Sequence, residues 1–214
     1  MDKAYFITAT GTDIGKTWLT AGLLAACRAR GAPVRALKPV MSGYDPARHE
    51  DSDIAKVGAG RTAWVYAAPL SPDLAAAKEG KAIDFDALLS WCRGEIDRND
   101  GLLLIEGVGG AMVPLTVRHT VRDWIAALGV PTLLVCGSYL GALSHTLTAL
   151  AALREAGVVP VIIVVNESAG STVSLEDTLA SLAPHVGGIS LLALRRDDTA
   201  GVARLSETLL GSGT

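Results

Sequence analysis

The sequence predicts an α/β protein, a doubly wound, mostly parallel sheet with helices on both faces. Three observations lead there. Short, unbroken apolar runs alternate with longer stretches of helical period, and strands buried on both faces read as such runs. The chain has 214 residues, half of them hydrophobic but only 5% aromatic, enough for a large core built from Ala, Leu and Val. The conspicuous polar residues fall just beyond the carboxyl ends of the expected strands, where open parallel sheets bind their ligands.

Taken in order, Ala4 to Ala9 is a buried strand, followed by a glycine-rich turn and a helix from about Lys16 to Arg30. Val34 to Pro39 is a second strand, closed by Lys38-Pro39. Gly, Pro, Asp and His punctuate Met41 to Pro72, which reads as loop with a short helix near Ile54. A helix from about Phe85 to Arg98 precedes the strand Leu102 to Glu106 and the glycine cluster Gly107 to Gly110. Val121 to Leu128 is helical, Thr132 to Cys136 a strand, and Leu143 to Ala156 a helix. Val158 to Val165 is the next strand, Leu175 to Leu182 a helix, Ile189 to Leu192 a short strand, and Thr199 to Leu210 a weaker helix. No linker, repeat or composition shift divides residues 1–214, which are expected to form one domain.

Composition excludes several classes. With 19 basic and 22 acidic residues the net charge is −3, so no basic excess exists to bind a phosphate backbone, and nucleic acid is not expected as a partner. Cys27, Cys92 and Cys136 are odd in number and widely spaced. They suit buried thiols in a reducing cytoplasm better than a disulfide framework or zinc site. The opening Met1-Asp2-Lys3 runs straight into a strand without a signal-peptide apolar region. No apolar run nears the roughly 20 residues that span a bilayer. A soluble, cytoplasmic protein with no membrane partner is expected.

The sharpest motif is Ala9-Thr-Gly-Thr-Asp-Ile-Gly-Lys-Thr17, between the first strand and the first helix. A loop so placed turns successive backbone N–H groups inward, and the helix start adds its positive end. Gly15 lets backbone approach a phosphate, Lys16 can reach the β and γ oxygens, and the Thr17 hydroxyl can coordinate Mg²⁺. This makes the fold class that of P-loop nucleotide-binding proteins. Thr10 stands where the first glycine of Gly-x4-Gly-Lys-Thr belongs, and Ala9 replaces the leading glycine of the longer variant. Alanine tolerates positive φ poorly, so a tightened turn is expected there.

Glu106-Gly107-Val108-Gly109-Gly110 ends a buried strand. Its carboxylate can ligate Mg²⁺ opposite the phosphate loop, and its glycines let backbone lie against a ligand. Lys38-Pro39-Val-Met-Ser42-Gly43 places a lysine at the end of the second strand. In the usual doubly wound order that strand lies beside the phosphate-loop strand, which lets the ammonium reach over the γ-phosphate. Asp53, in Asp51-Ser-Asp53, can be a second metal ligand or an ordinary helix cap.

Together these residues resemble the dethiobiotin synthetases of biotin biosynthesis. The family pattern is Gly-Thr-x-Thr-x-Val-Gly-Lys-Thr, then Lys-Pro-Val-x-[Ser/Thr]-Gly, then Glu-Gly-Ala-Gly-Gly, matched by Ala9 to Thr17, Lys38 to Gly43 and Glu106 to Gly110. Pro69-Leu-Ser-Pro72, Arg122-Asp123-Trp124, Leu140-Gly141, Ser144-His145 and Asn166 echo it further.

The resemblance implies ATP- and Mg²⁺-dependent carboxylation and ring closure of 7,8-diaminononanoate with CO2 (or bicarbonate). The products are dethiobiotin, ADP and phosphate, formed through a carbamate and a carbamic-phosphoric mixed anhydride. It implies Lys16 and Lys38 as catalytic charges and Thr17, Asp53 and Glu106 as metal ligands. Thr12 and Ser42 would bind the diamine or carbamate. The nucleotide would lie along Asp13, Ile14, Gly15, Lys16, Thr17 and Trp18, with Asp53, Glu106, Gly107, Val108 and Gly109 beside it and Asn166 reading the base. The substrate carboxylate would meet the helix start around Gly141 and Ser144 of a neighbouring subunit, implying a homodimer. The pattern is departed from at Ala9, at Asp13 for Glu, at Ser144 for Asn, and at Gly188-Ile189-Ser190, near the expected base-binding turn.

Three rivals explain less. Partitioning ATPases carry a signature lysine five residues before the loop lysine, where this chain has Gly11. Cobyrinate-type amidating synthetases append a glutaminase domain for which 214 residues leave no room. Another P-loop kinase does not account for Lys38-Pro39 together with Glu106-Gly107.

Overall fold

A computed structural model describes residues 4–58 and 62–211. The Met1-Asp2-Lys3 start, on which the reading of the N-terminus rests, lies outside them. Six parallel strands form the main sheet: β1 (Ala4–Ala9), β2 (Val34–Leu37), β5 (Leu102–Glu106), β6 (Thr132–Gly137), β7 (Ile162–Asn166) and β8 (Ser190–Leu194). They lie in the order β2-β5-β1-β6-β7-β8. The helices that cover them are α1 (Lys16–Ala29), α4 (Phe85–Asp97), α5 (Val121–Leu128), α6 (Ala142–Glu155), α7 (Leu175–Leu182) and α8 (Thr199–Leu210). Among the described residues, no helix is long and apolar enough to cross a membrane.

The apolar runs are continuous because successive side chains enter cores on opposite faces of the sheet. Phe6, Leu103 and Ile105 pack on one side with Trp124 of α5, whose ring meets Phe6 edge-on at 4.8 Å. Tyr5, Ile7, Leu102 and Leu104 pack on the other with Leu19 and Leu23 of α1 and Val202 of α8. Cys27, Cys92 and Cys136 are buried free thiols. Burial pushes Cys92 up to about 12 and Cys136 up to about 11.

The structure departs from expectation in three places. The strand expected from Val158 begins at Ile162, because Val159 and Val161 are exposed. The segment after Lys38 holds the short helix expected near Ile54, α2 (Asp53–Lys56). The rest of it is not plain loop, since it also holds a 3₁₀ turn (Pro46–Asp51) and β3 (Val40–Ser42) and β4 (Trp64–Tyr66), which pair in parallel as a separate two-stranded sheet. A further helix, α3 (Pro72–Lys78), follows.

The third departure concerns the strand order. β2 does not neighbour β1, since β5 lies between them, with Leu37 opposite Ile105 and Ile7 opposite Glu106. Lys38 therefore emerges beside Glu106 rather than beside the phosphate loop.

Candidate active site

The phosphate loop leaves β1 at Ala9, which is fully buried strand, and Thr10 donates its N–H to Val135 O at 2.9 Å. Among the described non-glycine residues, only Asp13 and Asp197 have positive φ, so the expected tightening at Ala9 is absent. The chain instead reverses at Asp13 (φ 57°) and Gly15 (φ 96°). Aspartate visits the left-handed region more readily than most residues. At Gly15 any Cβ would collide with Asn166 Nδ2, which itself donates to Ile14 O at 2.9 Å. Asn166, at the end of β7, thus clamps the loop, and its Oδ1 is buried without a hydrogen-bond partner.

Lys16 opens α1 and folds back over the loop, donating to Gly11 O at 3.0 Å and Gly109 O at 2.6 Å. Only 6% of the residue is exposed. Desolvation, reinforced by the Lys38 charge, pulls its ammonium down to about 8, against the opposing pull of Glu106, Asp53 and Asp13. Gly11, where the partitioning ATPases carry lysine, serves this lysine as an acceptor.

Glu106 is wholly buried. Its Oε1 accepts from Lys38 Nζ at 2.6 Å and from Thr17 Oγ1 at 2.9 Å, while its Oε2 has no hydrogen-bond partner. Lys38 Nζ also donates to Gly107 O at 2.9 Å and pairs with Asp53 Oδ2 at 3.2 Å. Asp53 begins α2 behind its cap Ser52, whose hydroxyl accepts from Ala55 N. Burial opposes ionisation of Asp53, yet the Lys38 ammonium and the Thr17 hydroxyl outweigh it and hold the carboxyl below its ordinary range. Two carboxylates, two ammonium groups and a hydroxyl thus converge from four separate segments.

The glycine cluster does more than leave room for a ligand. Gly107 donates to Ile7 O and Ala111 to Ala9 O, which laces the turn to the end of β1. A Cβ on Gly110 would stand 3.0 Å from the Thr10 carbonyl, so this glycine serves the approach of two backbones.

A cavity of about 900 Å³ opens over this cluster. Thr12, Asp13, Gly15, Lys16, Thr17, Trp18, Lys38, Ser42, Asp53, Val108 and Gly109 from the sequence reading all line it. Its far wall is Met41, from the Lys38 to Gly43 motif, and Pro69 to Pro72, which the sequence offers only as a family echo. Gly43 and Tyr44 donate to Ala68 O and Tyr66 O, tying the turn after β3 to the end of β4 and the loop beyond it.

A second cavity of about 460 Å³ adjoins the first along Asp13, Gly15 and Trp18 and is lined by Ile14 and Asn166. Its rim includes Leu194, the last residue of β8, and Arg195 to Asp197 beyond it, whereas Gly188 to Ser190 lie at the other end of that strand. The rule that ligands sit beyond the carboxyl ends of strands would have located this turn. Gly141 and Ser144, exposed at the start of α6, line neither cavity of their own chain.

Known proteins give the family. Solved structures with the same fold include the MinC:MinD cell division complex of Aquifex aeolicus, at TM-score 0.64 and 11% identity over 99% of this chain and 97% of that one. A ParA family ATPase of Chlorobium tepidum TLS follows at TM-score 0.57 and 12% identity, over 98% and 96%. These likenesses concern the P-loop α/β fold alone. A family model described as an AAA domain matches residues 3–194. The ATP-dependent dethiobiotin synthetase BioD of Acidiphilium cryptum (strain JF-5) is 47% identical over 86% of this chain and 88% of its own length. The enzyme of the same name from Caulobacter sp. (strain K31) is 43% identical over 98% and 95%. With relatives this similar along nearly the whole chain, and with the three motifs gathered at one cavity, the chain belongs to the dethiobiotin synthetase family.

Proposed function

We propose that the protein is an ATP-dependent cyclo-ligase that makes dethiobiotin from 7,8-diaminononanoate and CO2, acting as a cytoplasmic homodimer. The supporting observation is that one cavity is lined both by the phosphate loop, Thr12 to Trp18, and by Lys38 and Ser42. A nucleotide's γ-phosphoryl and a small acceptor can therefore meet between two lysines.

The chemistry needs little more than positioning and positive charge. One amine of the substrate adds to CO2 and releases a proton, giving a carbamate. A carbamate oxygen attacks the γ-phosphorus, and ADP leaves. The second amine then attacks the carbonyl of the mixed anhydride, phosphate departs, and the cyclic urea closes. Lys16 neutralises the phosphate side of this transfer and Lys38 the carbamate side. Thr12 and Ser42 donate hydrogen bonds to the diamine or carbamate.

Thr17, Asp53 and Glu106 suit Mg²⁺, a hard cation that prefers oxygen ligands, and the partnerless buried Oε2 of Glu106 is the atom such an ion would satisfy. Held by these residues, Mg²⁺ would supply positive charge against the phosphates of the nucleotide. Lys38 ties the two carboxylates together through its pairs with Glu106 and Asp53.

Dimer formation is supported by Leu140, 82% exposed beside Gly141 and Ser144 at the start of α6. Those two residues line neither of the two cavities above, and backbone N–H groups at a helix start suit a partner's substrate carboxylate. The test is nucleotide hydrolysis with and without diaminononanoate plus bicarbonate. Stimulation with dethiobiotin formed is expected, whereas stimulation by DNA or lipid vesicles instead would overturn the proposal.

A further inference from the structure

We infer that Tyr139 is the aromatic wall of the nucleotide-base site and that His145 is a positioning residue that holds its ring. The inference rests on the reading above that the base lies on the Asn166 side of the phosphate loop. It adds a residue for which neither the sequence motifs nor the family resemblance gives a role.

Tyr139 follows β6 and borders the second cavity together with Ile14, Trp18 and Asn166. Its backbone is held firmly. Ser138 N–H donates to Ser168 Oγ and Ser168 N–H to Ser138 Oγ, each at 3.0 Å, and Ser171 Oγ donates to Ser138 O at 2.8 Å. The ring is held at both ends. At its root it lies so close to Gly137 that a Cβ there would stand 2.8 Å from Tyr139 Cδ1. At its tip the phenol oxygen is hydrogen-bonded to His145 Nδ1 at 2.7 Å, with the two rings tilted by 50° at 5.7 Å. His145 sits in the first turn of α6, whose start is fixed by Gly141 (φ 98°) and by Ala142 N–H donating to Tyr139 O.

An aromatic side chain fixed in this way, next to apolar Ile14 and Trp18, suits a planar heterocycle. Stacking on an aromatic ring tolerates any base, because every base has a π-face. Selection falls to the buried, partnerless Oδ1 of Asn166, an acceptor suited to an exocyclic amino group. The ligand class is thus a nucleotide whose base carries an amino group, with Tyr139 supplying affinity and Asn166 supplying choice.

The test is direct binding of ADP and of pyrophosphate (the same charge without a base) by titration calorimetry. It uses the full-length wild type and the variants Tyr139→Phe, Tyr139→Ala and His145→Ala. Tyr139→Ala should weaken ADP about tenfold and raise the KM for ATP by a similar factor. Its pyrophosphate affinity, its KM for the diamine and its Tm should stay at wild-type values. Tyr139→Phe should lose less than about threefold, because the ring remains. His145→Ala should fall between the two, and should add nothing in the Tyr139→Phe background. Wild-type ADP affinity in Tyr139→Ala, or an equal loss of pyrophosphate, would overturn the assignment while leaving the nucleotide pocket standing. Wild-type protein that gains nothing from ADP over pyrophosphate would overturn the base-site reading itself, and the assignment with it.

Discussion

Replacing Lys38 by leucine removes the one ammonium that joins both carboxylates of the site. Lys38 is 3% exposed, and its Nζ bonds Glu106 Oε1 at 2.6 Å and Gly107 O at 2.9 Å and pairs with Asp53 at 3.2 Å. Leucine fills much of the volume but leaves the wholly buried Glu106 with only the Thr17 hydroxyl donating to it. Breaking a buried ion pair from one side costs about 3–5 kcal/mol, because a charge is left without its counter-ion. For a chain of this size each kcal/mol moves Tm by about 2–4 °C. Thermal unfolding without nucleotide or Mg²⁺ should therefore show Lys38→Leu melting roughly 6–20 °C below wild type. The double variant Lys38→Leu/Glu106→Gln should regain more than half of that loss, since no buried charge remains. In kinetic assays at a permissive temperature, Lys38→Leu should keep ATP affinity within a few fold while use of the diamine collapses. An exposed, uninvolved lysine would give another result. Melting of Lys38→Leu within 2 °C of wild type, together with unchanged KM and kcat for diaminononanoate, would refute the reasoning.

Other expectations are checked more simply. The Lys16 ammonium lies at about 8 rather than the ordinary 10.5, and nucleotide phosphates require its charged form. ATP binding should therefore take up close to half a proton near pH 8, and affinity should fall by up to tenfold per unit above it. Calorimetry in buffers of different ionisation enthalpy reads the uptake, and Lys16→Arg should abolish it. Glu106→Gln and Asp53→Asn should each raise the Mg²⁺ concentration for half-maximal activity, the former more because its carboxylate is fully buried. Mg²⁺ titrations that superimpose on wild type would remove both from the metal site. Cys92 and Cys136, buried and pushed up to about 12 and about 11, should not react with a thiol reagent at pH 8 until the protein unfolds.

The parallel sheet is readable because strands buried on two faces must be mostly apolar, as β1, β5 and β6 are apart from Thr8, Glu106 and Thr132. The phosphate loop was readable because its chemistry constrains the residue types one after another. The wall from Met41 to Pro72 was not. Strands of three residues such as β3 and β4 are too short to show a period, and a proline stands immediately before β3. Strand order is hidden for another reason. Nothing local in Val34 to Leu37 tells whether β1 or β5 lies alongside, and inserting β5 brings Lys38 onto Glu106. The strain expected at Ala9 from the glycine it replaces in the motif is not there, because as the last residue of β1 it has ordinary extended backbone. The base-side rim, expected from the family pattern near Gly188 to Ser190, lies instead at Leu194 to Asp197, where no residue type marks a nucleotide turn.

The central claim is that a carbamate oxygen, placed by Lys38, attacks the γ-phosphoryl held by Lys16. Its most direct test is to run the reaction with freshly added ¹⁸O-labelled bicarbonate and diaminononanoate, before the label exchanges with water, and to weigh the products by mass spectrometry. One labelled oxygen should be carried into each phosphate released, with one dethiobiotin formed per ADP and no labelled phosphate without the diamine. Unlabelled phosphate accompanying labelled dethiobiotin would contradict it, because the oxygen lost in closing the ring would not have passed through phosphorus.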